Sequence, residues 1–130
     1  MTNTGVSRQI DQGREVMDRA GALARVDGDG ELLASLVDIY FTEVGPMLAA
    51  LRTAVSNRDP EKLEKAAHRL KGSVSIFCAE AVTQAAFEPE KMGRSGDLEN
   101  VAATFARVEQ LVGMLEPALK QLRSEVQPSS

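Results

Sequence analysis

The chain carries its only histidine in the stretch Asp59-Pro-Glu-Lys-Leu-Glu-Lys-Ala-Ala-His68-Arg-Leu-Lys-Gly-Ser-Val-Ser-Ile-Phe-Cys-Ala79. Asp59 before Pro60 is typical of a helix N-cap followed by proline in the first turn, and Glu61 adds a negative charge where the helix dipole favours one. Apolar residues then recur at helical spacing and form one stripe: Leu63, Ala66, Ala67, Leu70, Val74 and Phe77. The stretch therefore predicts an amphipathic helix with one buried face.

The histidine falls on the face opposite this apolar stripe. At about 100° per residue, His68 projects about 160° from the centre of the stripe near Leu70. Gly72 and Ser75 share its face, and Lys71 lies at the i+3 spacing where side chains meet. The pattern predicts an imidazole that points to solvent.

An exposed lone histidine is most simply an ordinary surface residue, and it is Gly72 that favours a functional role. Glycine inside a helix costs about 1 kcal/mol relative to alanine, and one turn beyond His68 it leaves space for a partner. Lys71 supplies a positive charge for an anion. A free imidazole is largely neutral at pH 7 and therefore nucleophilic. Together these residues indicate an imidazole presented to a phosphoryl donor.

Composition limits the remaining classes of function. With 130 residues, 43% of them apolar and 26% charged, the chain has the size and composition of one globular domain. Its net charge of −4 argues against nucleic acid as the partner. The single cysteine permits no internal disulfide, which fits a reducing compartment. Four cations nevertheless lie close to the histidine in sequence: Lys62, Lys65, Arg69 and Lys71.

The ends of the chain resemble neither targeting nor membrane segments. The N-terminus has no apolar h-region, and no run of 18 apolar residues occurs. We therefore expect a cytoplasmic protein without membrane insertion. The polar ends predict a flexible arm over residues 1–13 and a disordered tail over 124–130, which leaves 14–123 as the folded domain.

Helical periodicity covers the rest of the chain, and no segment alternates with the period of two expected for a strand. Helices are predicted near 18–26, 31–44, 46–57 and 79–92, with a turn at Gly45-Pro46 and a last helix capped by Asp97. Pro89 is expected to kink or break its helix, and Pro117 is expected to bend the last helix. Short links between amphipathic helices predict an all-α fold, an antiparallel up-down four-helix bundle with one or two additional short N-terminal helices.

The segment Ala67-His68-Arg-Leu-Lys-Gly-Ser73 resembles the A-H-x-L-K-G-S signature of histidine-containing phosphotransfer (HPt) domains. The likeness extends from about residue 16 to 122. It includes Asp27-Gly-Asp-Gly-Glu-Leu-Leu33 and Phe41-Thr-Glu43 upstream, and Glu90-Lys-Met-Gly-Arg-Ser-Gly-Asp-Leu98, similar to the family's E-x-x-x-R-x-G-D-L turn, downstream. It is greatest to the HPt modules of bacterial hybrid sensor kinases. Three positions depart from the pattern: Cys78 replaces a usual glycine, Pro89 replaces a usual leucine, and Pro117 lies one turn after Gly113 in the last helix.

The resemblance implies a phosphorelay intermediate that accepts a phosphoryl group on His68 from a receiver domain's phospho-aspartate and passes it to another receiver. Lys71 is then expected to stabilise the phosphoryl charge. Gly72 would let the receiver's loops close over the ring. The set expected to dock the receiver is Gly72, Arg69, Ser75 and Lys65.

The same resemblance implies a phosphocarrier and not an enzyme. The partners are response-regulator receiver domains and a hybrid sensor histidine kinase. The chain needs no cofactor of its own, because Mg²⁺ is expected in the receiver partner. An exposed active face requires no second subunit, so we expect a monomer.

Other functions fit the residues less well. A helical adaptor that binds a receiver or kinase without taking phosphate is the main alternative. One histidine and one cysteine are too few for a typical zinc site. Ten residues of helix, about 15 Å, separate His68 from Cys78 and exclude a catalytic dyad. In the dimerisation domain of a histidine kinase an acid usually follows the histidine, whereas Arg69 follows it here.

Overall fold

A computed structural model describes residues 16–126, and these form five α-helices with no strand among them. The helices are α1 (Arg19–Arg25), α2 (Gly30–Ser56), α3 (Pro60–Ser75), α4 (Glu80–Ser95) and α5 (Val101–Val126). The predicted arm at 1–13 lies outside the described residues, as does the part of the predicted tail at 127–130. Helix α5 runs to Val126, beyond the predicted end of the domain at residue 123.

Aspartate side chains begin the first three helices. Asp18, Asp29 and Asp59 accept hydrogen bonds from the backbone N–H groups of Gly21, Leu32 and Lys62, at 3.0, 3.0 and 3.2 Å. Each bond satisfies an N–H that has no partner inside its helix. The N-cap predicted at Asp59 is confirmed.

The four long helices form a ring around one core. Each packs against its neighbours in sequence, and α2 also packs against α5. Because short links join neighbours that lie side by side, consecutive helices run antiparallel. This confirms the predicted four-helix bundle, with α1 as a short additional helix. The fully buried core side chains are mostly aliphatic and come from all four helices: Leu33, Val37, Leu51, Leu63, Leu70, Val74, Val82, Val108, Leu115 and Leu119.

The predicted turn at Gly45-Pro46 is wrong, because α2 continues through it as one helix. Both residues are exposed. Proline removes one backbone hydrogen bond, to the carbonyl of Thr42, and Thr42 is exposed to water. Water can therefore satisfy the freed carbonyl, and buried residues before and after Pro46 hold α2 in the core. Helices α4 and α5 likewise continue through Pro89 and Pro117 without a break.

Helix α2 is, by length and composition, the one helix in the range 16–126 that could cross a membrane. One of its faces is built into the bundle, where Leu33, Val37 and Leu51 are fully buried. A core helix of a helical bundle passes the same test of length and composition. Helix α2 is therefore a core helix of the bundle.

The link between α3 and α4 shows why glycine is usual at the position of Cys78. Cys78 has a backbone φ of 53°, in the left-handed region that favours glycine. Its carbonyl accepts a hydrogen bond of 3.0 Å from the N–H of Asp18, which ties the start of α1 to this link. Cys78 itself is half-buried.

Candidate functional site

The predicted orientation of the histidine is confirmed. His68 lies in the middle of α3 on the solvent side, and 69% of its side chain is exposed. Ala67 and Leu70, on the opposite side of the helix, are fully buried. The phase of the apolar stripe therefore places the ring outside the core.

The ring is not free on both sides, because Nδ1 of His68 lies 2.9 Å from Oε2 of Glu90 on α4. Only 2% of the Glu90 side chain is exposed. An ionised carboxylate has no proton to donate, so Nδ1 carries the proton and donates a hydrogen bond to Glu90. In the neutral ring this leaves the lone pair on Nε2. Nε2 is therefore the ring nitrogen that could act as a nucleophile.

Glu90 stays ionised because cations surround it. Burial alone raises the pKa of its carboxyl, but hydrogen bonds from Lys71 and His68, and their charges, outweigh burial and hold that pKa below its ordinary value. Arg94 adds a further bond of 2.9 Å to Oε2. A buried charge without such partners would be costly.

Lys71 is held on the α4 side of the histidine. Its Nζ lies 2.8 Å from Oε1 of Glu90, and 25% of its side chain is exposed. The same ammonium lies 4.6 Å from the centre of the Phe87 ring, within the range of a cation–π contact. Lys71 and His68 thus share one carboxylate.

The close approach of α3 and α4 depends on a glycine. A Cβ at Gly93 would lie 2.5 Å from the carbonyl oxygen of Pro60 and 2.6 Å from the backbone nitrogen of Glu64. No side chain fits there, so the two backbones touch at this point. Glu90 lies one turn before Gly93 and is thereby brought within reach of α3. Arg94 joins the same helices through a bond of 3.1 Å to Glu64.

The remaining predicted residues divide between two places. Gly72 is exposed, and a Cβ there would meet no atom within 4 Å, so the space next to His68 is open as expected. The hydroxyl of Ser75 donates to the carbonyl of Gly72 at 2.8 Å and is bonded within its own helix. Lys65 and Arg69 lie on the other flank of His68, where they line a groove between α2 and α3.

Sequence reasoning missed Glu90 and Arg94 as site residues. Both belong to the segment that resembles the HPt turn, and that resemblance by itself assigned neither of them a role. A signal was present, since a glutamate and an arginine four residues apart share one helix face. Among the described residues no group of three or more His, Cys, Asp or Glu side chains could hold a metal ion.

Three comparisons with known proteins bear on this site. A family model described as the Hpt domain matches residues 35–126. The fold is similar to the crystal structure of histidine-containing phosphotransfer protein B (HptB) from Pseudomonas aeruginosa PAO1, with a TM-score of 0.78. That match has 22% sequence identity and covers 85% of this chain and 96% of that one. No curated protein matches the sequence significantly.

Proposed function

The chain belongs to the Hpt domain family, whose members are phosphotransfer histidine modules of two-component signalling, and on this premise we propose that His68 is a phosphorelay intermediate. It accepts a phosphoryl group from the phospho-aspartate of one receiver domain and passes it to another. The observation that carries the proposal is the exposed ring of His68, whose Nδ1 is hydrogen-bonded to the buried carboxylate of Glu90.

The chemistry follows from the nitrogen that is left free. The lone pair of Nε2 attacks phosphorus, the bond from phosphorus to the aspartate oxygen breaks, and the carboxylate leaves with the electron pair. The ring becomes positively charged, and Glu90 stabilises that charge through the proton on Nδ1. In the second transfer an aspartate of another receiver attacks the phosphorus, the P–N bond breaks and the neutral ring returns.

Lys71 is proposed to neutralise charge on the phosphoryl oxygens. An ammonium has three donors, so it can keep its bond to Glu90 and still donate to a phosphoryl group above His68. Replacing Lys71 by alanine should slow transfer at least about tenfold and leave the helical circular-dichroism signal unchanged. Lys120→Ala on α5, which removes an exposed lysine paired with Glu116, is the matched control. Equal rates for the two variants would refute this role.

The exposed residues around the ring are proposed to dock the receiver. A Cβ at Gly72 would meet no atom within 4 Å, so nothing in its own chain requires glycine there. Glycine nevertheless costs about 1 kcal/mol in a helix. This supports a role for Gly72 in leaving space for the receiver. Lys65 and Arg69 would pair with acidic groups of the receiver. Ser75, bonded to the backbone, has only its oxygen lone pairs available to the partner.

The chain is proposed to act as a carrier and not as an enzyme. The Mg²⁺ ion and most catalytic groups would belong to the receiver. We further propose a cytoplasmic monomer whose partners are response-regulator receivers and a hybrid sensor histidine kinase.

Radiolabelled phosphoryl transfer tests the proposal directly. A phosphorylated receiver mixed with the chain should give a label that is acid-labile and base-stable, and His68→Gln should remove it completely while keeping the fold. Binding of the receiver without any label would support the adaptor instead.

A further inference from the structure

A cleft of about 200 Å³ lies between α2 and α5, on the side of the bundle away from the α3–α4 contact that holds His68. Its apolar walls come from both helices: Phe41, Val44, Leu48 and Val112. The cleft is larger than a single water needs and smaller than the roughly 300 Å³ at which sites for drug-sized ligands begin. Its size therefore suits a small organic molecule.

A glycine in the middle of α5 leaves this cleft open. Gly113 lines it, and a Cβ at Gly113 would meet no atom within 4 Å. Glycine destabilises a helix interior relative to alanine, and nothing in the packing of the chain requires it at this position. A side chain at residue 113 would extend into the space of the cleft.

Tyr40 brings a buried polar group to the cleft. The residue is 4% exposed and lines the cleft, and its hydroxyl has no hydrogen-bond partner among residues 16–126. Phenylalanine would make the same ring contact with Phe77, so burying the hydroxyl is unfavourable unless a partner reaches it. Burial and the charge of Glu116 raise the pKa of Tyr40. The hydroxyl therefore stays neutral and can both donate and accept.

Two carboxylates complete the polar lining of the cleft. Glu109 and Glu116 line it, whereas no lysine, arginine or histidine does. Arg52 pairs with Glu109 at 2.6 Å. Lys120 pairs with Glu116 at 3.1 Å. All four of these side chains are at least 39% exposed, so water screens both pairs. A carboxylate accepts from more than one donor, and the cleft therefore remains complementary to a cation.

We propose that this cleft binds a small primary amine in its protonated form. The apolar body of the amine lies between the walls, and its ammonium group donates to Glu109, Glu116 and the hydroxyl of Tyr40. An ammonium has three donors, which match these three acceptors. The cleft lies apart from His68, so the inference goes beyond the proposed function and does not depend on it.

Benzylamine is the first probe, and its binding is measured from the backbone amide NMR signals of the whole chain during a titration at pH 7. Signals of residues that line the cleft should shift and saturate with a Kd of about 1 mM or tighter. Benzyl alcohol and benzoate have the same ring without the positive charge, so they should bind at least about tenfold more weakly. Equal binding of either one would overturn the inference.

Two pairs of variants locate the site. Glu116→Gln should weaken benzylamine binding at least about tenfold. Glu88→Gln on α4, which also removes the charge of a glutamate in an exposed pair with lysine, should stay within about twofold of wild type. Gly113→Leu should block the cleft. Gly45→Leu makes the same change at a helical glycine whose Cβ would also meet nothing within 4 Å, and it should bind like wild type. Equal effects in a cleft variant and its control would contradict the assignment.

Tyr40→Phe tests the hydroxyl. It should weaken benzylamine binding at least about threefold, while the urea midpoint without the amine should not fall. A lower midpoint would show that the hydroxyl already makes a stabilising bond in the fold, and unchanged binding would show that the amine does not use it. Either result overturns the inference.

Labelling of His68 is scored separately. Phosphoryl label without amine binding overturns the inference and leaves the proposed function standing, whereas amine binding without label does the reverse.

Discussion

Two sides of the bundle use ion pairs in opposite ways. Between α3 and α4, His68, Lys71 and Arg94 converge on the buried carboxylate of Glu90. Between α2 and α5, two pairs lie at the surface, Arg52 with Glu109 and Arg123 with Asp38, each with a closest contact of 2.6 Å. The distances are similar, but only the first set is shielded from water.

The difference shows that distance alone does not tell what an ion pair does. The two charges of an exposed pair can separate at little cost because water solvates each of them, so the pair stabilises the helix contact only weakly. A carboxylate that is 98% covered needs its partners, because burial of an unpaired charge is unfavourable. The α3–α4 side therefore maintains a fixed charge beside His68.

The largest expected effect concerns the contact that brings α3 and α4 together. Gly93→Ala should destabilise the fold by about 3 kcal/mol, because the new Cβ would overlap backbone atoms of Pro60 and Glu64. Gly113→Ala on α5 is the control, since a Cβ there meets nothing within 4 Å and should stabilise the helix by up to about 1 kcal/mol. Urea unfolding of both variants measures this. Similar stabilities would show that α3 and α4 need no such close approach.

The next effect concerns phosphoryl transfer. Glu90→Gln keeps an acceptor for the Nδ1 proton but removes the charge that stabilises the positively charged ring. The rate of His68 labelling should fall at least about tenfold. Asp38→Asn makes the equivalent change on the α2–α5 side and should leave the rate unchanged. If Glu90→Gln is labelled at the wild-type rate, the charge of Glu90 has no part in phosphoryl transfer.

The third prediction is the dependence of stability on pH. The pKa of Glu90 lies below its ordinary value of 4.5 in the fold, so the folded state binds protons less readily than the unfolded state. Its contribution to stability is therefore complete above pH 4.5 and is lost as pH falls through the lower, folded pKa. Urea midpoints measured from pH 7 downwards should fall less steeply below 4.5 in Glu90→Gln than in wild type.

Asp38 provides the comparison for that titration. Its pKa is lowered by the hydrogen bond from Arg123, so its contribution to stability is also lost as the pH falls. The carboxyl of Asp38, however, is exposed. Asp38→Asn should reduce the fall of the urea midpoint at acidic pH less than Glu90→Gln does. The reverse order would mean that shielding from water is not what distinguishes the two sides.

The smallest effect is expected at the surface pair of Arg52 and Glu109. Glu109→Gln removes one charge and leaves Arg52 above the Phe105 ring, 5.7 Å from its centre. The free energy of unfolding should change by less than about 1 kcal/mol, and less still at high salt. The free energy of unfolding is measured with urea. A larger loss would show that this exposed pair contributes as much to stability as the buried ion pairs of Glu90.

Sequence reasoning reached the bundle and the exposed histidine because both follow from local patterns. The cap at Asp59 and the stripe through Leu70 set where α3 begins and which side faces water. The same reasoning failed at Pro46, where a turn was predicted, because core packing of residues on both sides of the proline keeps α2 one continuous helix. It also gave no role to Glu90, because a glutamate in an amphipathic helix is ordinarily exposed.

The sequence by itself determined that the chain is helical, which side of each helix is apolar, and the outward direction of His68. Those features depend on hydrogen bonds and side-chain spacing within a few residues of one another. Only the tertiary structure decided that Glu90 lies under the ring, that Lys71 shares it, and that Lys65 and Arg69 face a groove on the other flank. His68 and Glu90 are 22 residues apart, and their contact exists because Gly93 lets two helix backbones touch, a packing event that no local pattern specifies.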